Sequence, residues 1–193
     1  PYEHDKAKLV VREMTDILAL DLVDKRIVTD QLVMTIAYDI ENLTDPERRA
    51  AYHGPIRIDH YGRQVPKEAH GSINLLQYTS SVKMLAEHML QLFDRITDPN
   101  LLVRKVNIGA NHIINENDIP QKAQEQLDLF ADAEAVSKQK EVEDAELAKE
   151  RRLQDALLKI KKQFGKNAVL KAMSLQEGAT AKDRNQQVGG HKA

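Results

Sequence analysis

The hydrophobic period of this chain switches from helix to strand and back within its first 112 residues, and that order restricts the fold more than any other feature. From Lys6 to Asp24, the residues Ala7, Val10, Met14, Ile17, Leu18 and Leu22 recur at helical spacing, with Asp5 placed to cap the helix. Gln31 to Asp39 then alternates, with Leu32, Met34, Ile36 and Tyr38 on one face and Val33, Thr35, Ala37 and Asp39 on the other, as a half-buried strand does. A short strand from Ser72 to Leu75 leads through Thr79 and Ser80, the expected caps, into a second helix carrying Val82, Leu85, Ala86, Met89, Phe93 and Ile96 on one face. Asp98-Pro99-Asn100 breaks that helix, and Leu101 to His112 alternates again. The order predicts an α+β sandwich: an antiparallel sheet with both helices packed on one face. Residues 42–71 sustain no period, and Asp45-Pro46, His53-Gly54-Pro55, Tyr61-Gly62-Arg63 and Val65-Pro66 predict a long loop or splayed hairpin.

Two helices on one face leave the other face open. The residues predicted to point there are Thr35, Ser72, Asn74, Lys105 and Asn107, small and polar, on a face with few acids. Such groups suit contacts to phosphates, which position a duplex without reading its sequence. An ordinary solvated antiparallel face gives the same alternation. The turn at Tyr61-Gly62-Arg63 offers one charge and one stacking ring to nucleic acid, although a plain turn has the same composition.

Charge divides the chain further. Residues 1–113 carry a net charge of -2, residues 114–150 of -7 and residues 151–193 of +7. The basic end suits nucleic acid and the acidic stretch repels it; a self-paired, salt-bridged helix accounts for the same pattern. No cysteine is present, which removes disulfides, thiol nucleophiles and thiolate metal sites. With no signal peptide and no apolar run of membrane-spanning length, the expected location is the cytoplasm, without a membrane partner. The chain opens on Pro1 without a Met, as a fragment of a longer protein does.

Within the acidic stretch stands a pentapeptide of a different kind: Gln126, Leu127, Asp128, Leu129 and Phe130. Its apolar residues belong to no periodic pattern, so they either tuck back on their own domain or fill a partner's pocket. Beyond it, residues 131–150 predict a solvated helix or disordered linker. Leu153, Leu157, Ile160 and Phe164 then form a stripe beside Arg151, Arg152, Lys159, Lys161 and Lys162, ended by Gly165. That basic amphipathic helix suits DNA, a partner groove or its own domain. After Met173 no pattern predicts a buried core.

Other constellations carry little chemistry. His53, His60, His70, His88 and His112 match no ligand spacing, so no metal site is expected. Ser80-Ser81 has no neighbouring base and orienter in sequence, and no glycine-rich phosphate loop occurs. Asp39 and Glu41 come nearest to a catalytic acid pair, and a solvated strand terminus explains them better. No catalytic residue is expected.

Val11-Arg12-Glu13-Met14-Thr15, Leu20-Asp21-Leu22-Val23, Asp59-His60-Tyr61-Gly62-Arg63, Ala69-His70-Gly71, Arg104-Lys105-Val106-Asn107-Ile108 and the pentapeptide together resemble the C-terminal part of bacterial Y-family translesion DNA polymerases of the ImpB/MucB/SamB, or UmuC-like, group. The tail, from Phe164-Gly165-Lys166-Asn167 through Glu177-Gly178-Ala179-Thr180 to Arg184-Asn185 and Gly189-Gly190-His191, resembles the extreme C-terminus of one branch of that group. The resemblance implies a little-finger-like domain over residues 1–114 that grips duplex template-primer DNA without sequence preference. It implies a linker over 115–150 whose residues 126–130 bind the β sliding clamp, and a basic helix with a flexible tail over 151–193. Roles in DNA repair and damage tolerance follow from it. The family's little finger begins with a strand, and residues 1–4 are too few to form one. The sheet is therefore expected to be one strand short, unless the chain starts inside that strand or another chain supplies it. The family's Mg2+ ions sit on palm-domain carboxylates that these residues do not include, so this chain alone is expected neither to hold a cofactor nor to polymerise DNA. A protein-interaction adaptor without DNA binding is the alternative.

Overall fold

The computed structural model describes residues 1–120, 133–188 and 191–192. The first helix, α1, runs from His4 to Asp24 and starts directly after Glu3 with no side-chain cap. Asp5 lies in its first turn instead of capping it, where a carboxylate still meets the positive end of the helix dipole. β1 (Ile27–Tyr38) begins four residues before the alternation read from Gln31. The region expected to be a loop folds into α2 (Glu41–Thr44), α3 (Pro46–Ala51) and a hairpin of β2 (Ile56–Ile58) and β3 (Gln64–Pro66). Asp45 caps α3 by accepting from Arg48 N at 2.9 Å, with Pro46 opening the helix.

β4 spans Ala69–Thr79, much longer than the strand read at 72–75, and leads into α4 (Val82–Ile96). The cap of α4 is Ser81, whose Oγ accepts from Met84 N at 3.2 Å; Thr79 holds the approach by accepting from Ser81 N at 3.0 Å. β5 (Val103–Asn111) and β6 (Ile114–Asn115) follow. After a 3-10 turn at Glu116–Asp118 come α5 (Ala133–Phe164), a second 3-10 turn at Ala172–Leu175, α6 (Ala181–Arg184), β7 (Gln187–Val188) and β8 (His191–Lys192).

The main sheet is antiparallel in the order β4-β1-β5, and β6 pairs with the start of β1. On the outer edge of β5, among the described residues, only Tyr2 pairs: it exchanges two backbone hydrogen bonds with Val103 at 2.8 and 2.7 Å. The sheet therefore has three long strands and the two-residue β6, with a one-residue bridge at Tyr2 on the edge of β5. Leu32, Met34 and Ile36 of β1 point into the core and meet Leu85, Met89, Leu92 and Phe93 of α4 and Ala7, Val11 and Leu22 of α1. Burying side chains of this size contributes about 1.5–3 kcal/mol each.

α1 departs from its predicted stripe. The buried positions are Ala7, Val11, Glu13, Thr15, Ala19, Leu22 and Val23, while Ile17 is 43% exposed. The small residues Ala7, Thr15 and Ala19 let α1 sit close to its neighbours, and a second side of the helix, through Glu13, is covered by the C-terminal extension. A helix buried on two sides has no single clean stripe to read.

The extension is bound mainly by polar groups. Glu150 accepts from Ser81 Oγ at 2.7 Å and Lys83 N at 3.0 Å, and Gln154, 4% exposed, donates to Ser80 O at 3.0 Å. Arg151 and Arg26 both pair with Glu116, at 2.8 and 2.9 Å. Burial alone raises the Glu116 pKa, but the two guanidiniums outweigh it and hold the carboxyl below its usual range. The predicted stripe of α5 is covered only at its middle: Leu157 is half-buried and faces α1, while Leu153 and Phe164 are 60% and 69% exposed. Gly165 turns the chain at φ +95°, a conformation natural to glycine, and the tail runs back along α1. Contrary to the sequence expectation, residues after Met173 do join the fold, since Ala181 is buried and Glu13 is held by Thr180, Ala181 and Arg184.

Candidate nucleic-acid interface

Strand register decides what the open face presents. Gln31 of β1 lies between Asn74 of β4 and Asn111 of β5, Val33 between Ser72 and Gly109, and Thr35 between His70 and Asn107; Ala37 stands beside Lys105. The five sheet residues predicted from alternation, Thr35, Ser72, Asn74, Lys105 and Asn107, are thus brought onto one face. Ser72, Asn74, Lys105 and Asn107 are exposed and Thr35 is half-buried.

Side-chain bonds cross the strands along this face. Gln31 Nε2 donates to Asn74 Oδ1 at 2.8 Å, and Asn111 Nδ2 donates to Gln31 Oε1 at 2.9 Å, so three amides form one row. Thr35 Oγ1 and His70 Nδ1 are hydrogen-bonded at 2.8 Å in another. Between them the row Ser72-Val33-Gly109 is low, because its side chains are small or absent. No acid occupies these rows. Acids flank them: Asp30 is paired with His112 at 2.9 Å, and Asp39 lies 3.6 Å from Arg104.

Gln31 and His70 were missed in the sequence, and Asn111, whose alternation with Lys105 and Asn107 is readable, was not counted among the contacts. Each is in phase with a residue that was found, and extending the alternation of Thr35, Ser72 and Asn107 by one or two steps would have reached them. Asp39 is corrected as well. It is 6% exposed and accepts from Glu41 N at 3.0 Å, so it caps the turn into α2 and is not a solvated terminus.

Arg63 does not stand on this face. It lies in the β2–β3 turn, where its Nη2 is 2.7 Å from Asp59 Oδ2. The hydrogen bond to Arg63 lowers the Asp59 pKa, and the same bond raises that of Arg63. The histidines are dispersed: His88 bonds Met84 O at 2.9 Å, and His60 meets the edge of Tyr61. Among the described residues no group of three His, Asp or Glu side chains is placed to hold a metal, and no helix is long and apolar enough to cross a membrane. The pentapeptide Gln126-Leu127-Asp128-Leu129-Phe130 lies outside the described residues.

An antiparallel sheet with two helices behind it and an acid-free polar face in front defines a class of small α+β modules with one face open to a partner. The chain belongs to the impB/mucB/samB family, whose C-terminal domain matches residues 2–129. That match makes it a C-terminal region of the Y-family, translesion DNA polymerases. No curated protein matches the chain.

Proposed function

We propose that this region grips duplex template-primer DNA with its open sheet face and tethers the parent polymerase to the β sliding clamp through Gln126-Leu127-Asp128-Leu129-Phe130. The observation that carries the first half is the assembly of amide, hydroxyl, imidazole and ammonium groups across three strands with no acid among them. Amides and hydroxyls satisfy phosphate oxygens, and Lys105 adds a charge; contacts of this kind position a duplex without reading its sequence. Nucleotide addition and its Mg2+ belong, in this reading, to the palm domain of the parent polymerase in the bacterial cytoplasm.

The second half rests on the motif: one amide followed by apolar residues that belong to no periodic pattern suits a partner's pocket. Gln126 then bonds at the rim of the clamp pocket, while Leu127, Leu129 and Phe130 fill apolar subsites. A motif this short binds weakly alone, on the order of micromolar or about 8 kcal/mol, and tethering multiplies its effect.

Duplex affinity measured at two salt concentrations tests the sheet face. Binding should fall steeply with salt, and Lys105→Ala with Asn107→Ala should weaken it on every sequence while reducing the salt slope by about 1. Absent or salt-independent binding would leave the adaptor reading in its place. Gln126→Ala with Phe130→Ala should abolish capture of the clamp without changing the circular dichroism spectrum. Clamp capture that survives both changes would refute the tether.

A further inference from the structure

The β2–β3 hairpin springs from the Lys105 end of the open face. Only Lys67 and Glu68 separate β3 from β4, whose first residue, Ala69, pairs with Ile36, one step from the Ala37–Lys105 row. One carboxylate builds the tip. Asp59 Oδ1 accepts from the backbone N–H of Tyr61 at 2.8 Å and of Arg63 at 2.9 Å, and Oδ2 accepts from Arg63 Nε at 2.8 Å. Gly62 reverses the chain at φ +77°, and Asp59 N closes the loop on Arg63 O at 2.8 Å. A loop this fully bonded holds its one large ring in the open: Tyr61 is 78% exposed, with the Arg63 guanidinium 4.9 Å from the ring centroid and His60 against its edge. Ile58, 59% exposed, continues the apolar surface down the hairpin.

The turn invites a phosphate contact by Arg63, but that charge is spent on Asp59, which changes what the tip offers. We propose that Tyr61 is a stacking platform for an unpaired template base beside the duplex, with Arg63 holding the ring in place; this rests on the DNA reading of the sheet face. A flat ring stacks on any base, and a cation against the ring limits its motion before binding. Bases inside a duplex have both faces covered, and unstacking them costs a few kcal/mol, so the ring selects the base that is already unpaired.

Charge favours nucleic acid over a protein pocket. The hairpin's two acids are both neutralised, Asp59 by Arg63 and Glu68 by Arg57 at 2.9 Å. Lys67 and Lys105 have no ion-pair partner among the described residues and give this end a positive margin.

The test uses the full chain with two DNAs, a blunt duplex and a primer-template whose first unpaired template base is 2-aminopurine. Wild type and Tyr61→Phe should quench the 2-aminopurine. Tyr61→Ala should lose the quench and bind the primer-template about fivefold to a hundredfold more weakly, with blunt-duplex affinity unchanged. Equal losses on both DNAs would make Tyr61 a backbone contact and overturn the proposal. If Tyr61→Ala leaves both affinities unchanged, stacking is wrong while the sheet face stands, and a simultaneous loss of clamp capture would mark the tip as a protein contact. If wild type binds neither DNA, the sheet-face reading fails first.

Discussion

Glu13→Ala should destabilise the chain by about 3 kcal/mol, the lower end of the range for breaking a buried ion pair. The Glu13 side chain is fully buried on α1, and every donor bonded to it belongs to the tail: Thr180 N at 2.8 Å, Ala181 N at 3.0 Å, and Thr180 Oγ1 and Arg184 Nη2 both at 3.3 Å. The two backbone donors are unpaired N–H groups of the first turn of α6, which have no carbonyl of their own helix to bond. Removing the carboxylate leaves these donors and a half-buried guanidinium without an acceptor. Arg184 retains some exposure and its pKa is already lowered by burial, so it relaxes toward solvent and the loss stays at the low end.

Glu13→Gln separates charge from shape. It keeps an acceptor for the backbone donors and loses the attraction to Arg184, so its cost should be smaller, about 1 kcal/mol. Because the two side chains share one network, Glu13→Ala with Arg184→Ala should cost less than the sum of the single changes. Chemical unfolding of wild type and the four variants measures all of this. A loss under about 1 kcal/mol for Glu13→Ala would mean that the tail is not docked on α1 in solution.

Asn42→Ala should cost about 2–4 kcal/mol, since it removes a side chain that replaces missing local structure. α2 is four residues long and, apart from the bond of Glu41 N to Asp39, has little of its own to keep it formed. Asn42, fully buried, donates from Nδ2 to Asp39 O and to Leu102 O, both at 2.9 Å, and accepts from Leu102 N at 2.8 Å. It joins the end of β1 to the segment entering β5, sixty positions later in the chain. Asn42→Asp should be no better, because its second oxygen would face two carbonyls. Urea midpoints at constant slope give the comparison, and an Asn42→Ala chain within about 0.5 kcal/mol of wild type would show that the turn is held by something else.

Most of the sheet and its open face was legible in the order of the residues. Alternation at Leu32-Met34-Ile36 located the core side of β1, and the opposite phase located Thr35, Ser72 and Asn107, because a strand puts successive side chains on opposite faces. What blurred were the strand ends: β4 begins at Ala69, where Gly71 hides the pattern by contributing no side chain. Gly71 is there for packing, as a Cβ at that position would come within 2.8 Å of Ile96 Cγ2. The α5 stripe left its partner open for a different reason. Apolar periodicity signals a buried face only when burial holds the helix, and here Glu150, Arg151 and Gln154 do so through polar bonds.

By itself the sequence determined the α+β class, the polar face and the family, since each depends on local period or on residue identity. Only the tertiary structure decided that Glu13 belongs to the tail, that Asn42 reaches Leu102, and that the Arg63 charge is spent on Asp59. Two of those pairings join residues far apart in the chain, and the third depends on how one turn closes. A carboxylate or an amide carries no mark of its distant partner, and contact between them exists only once the chain has folded.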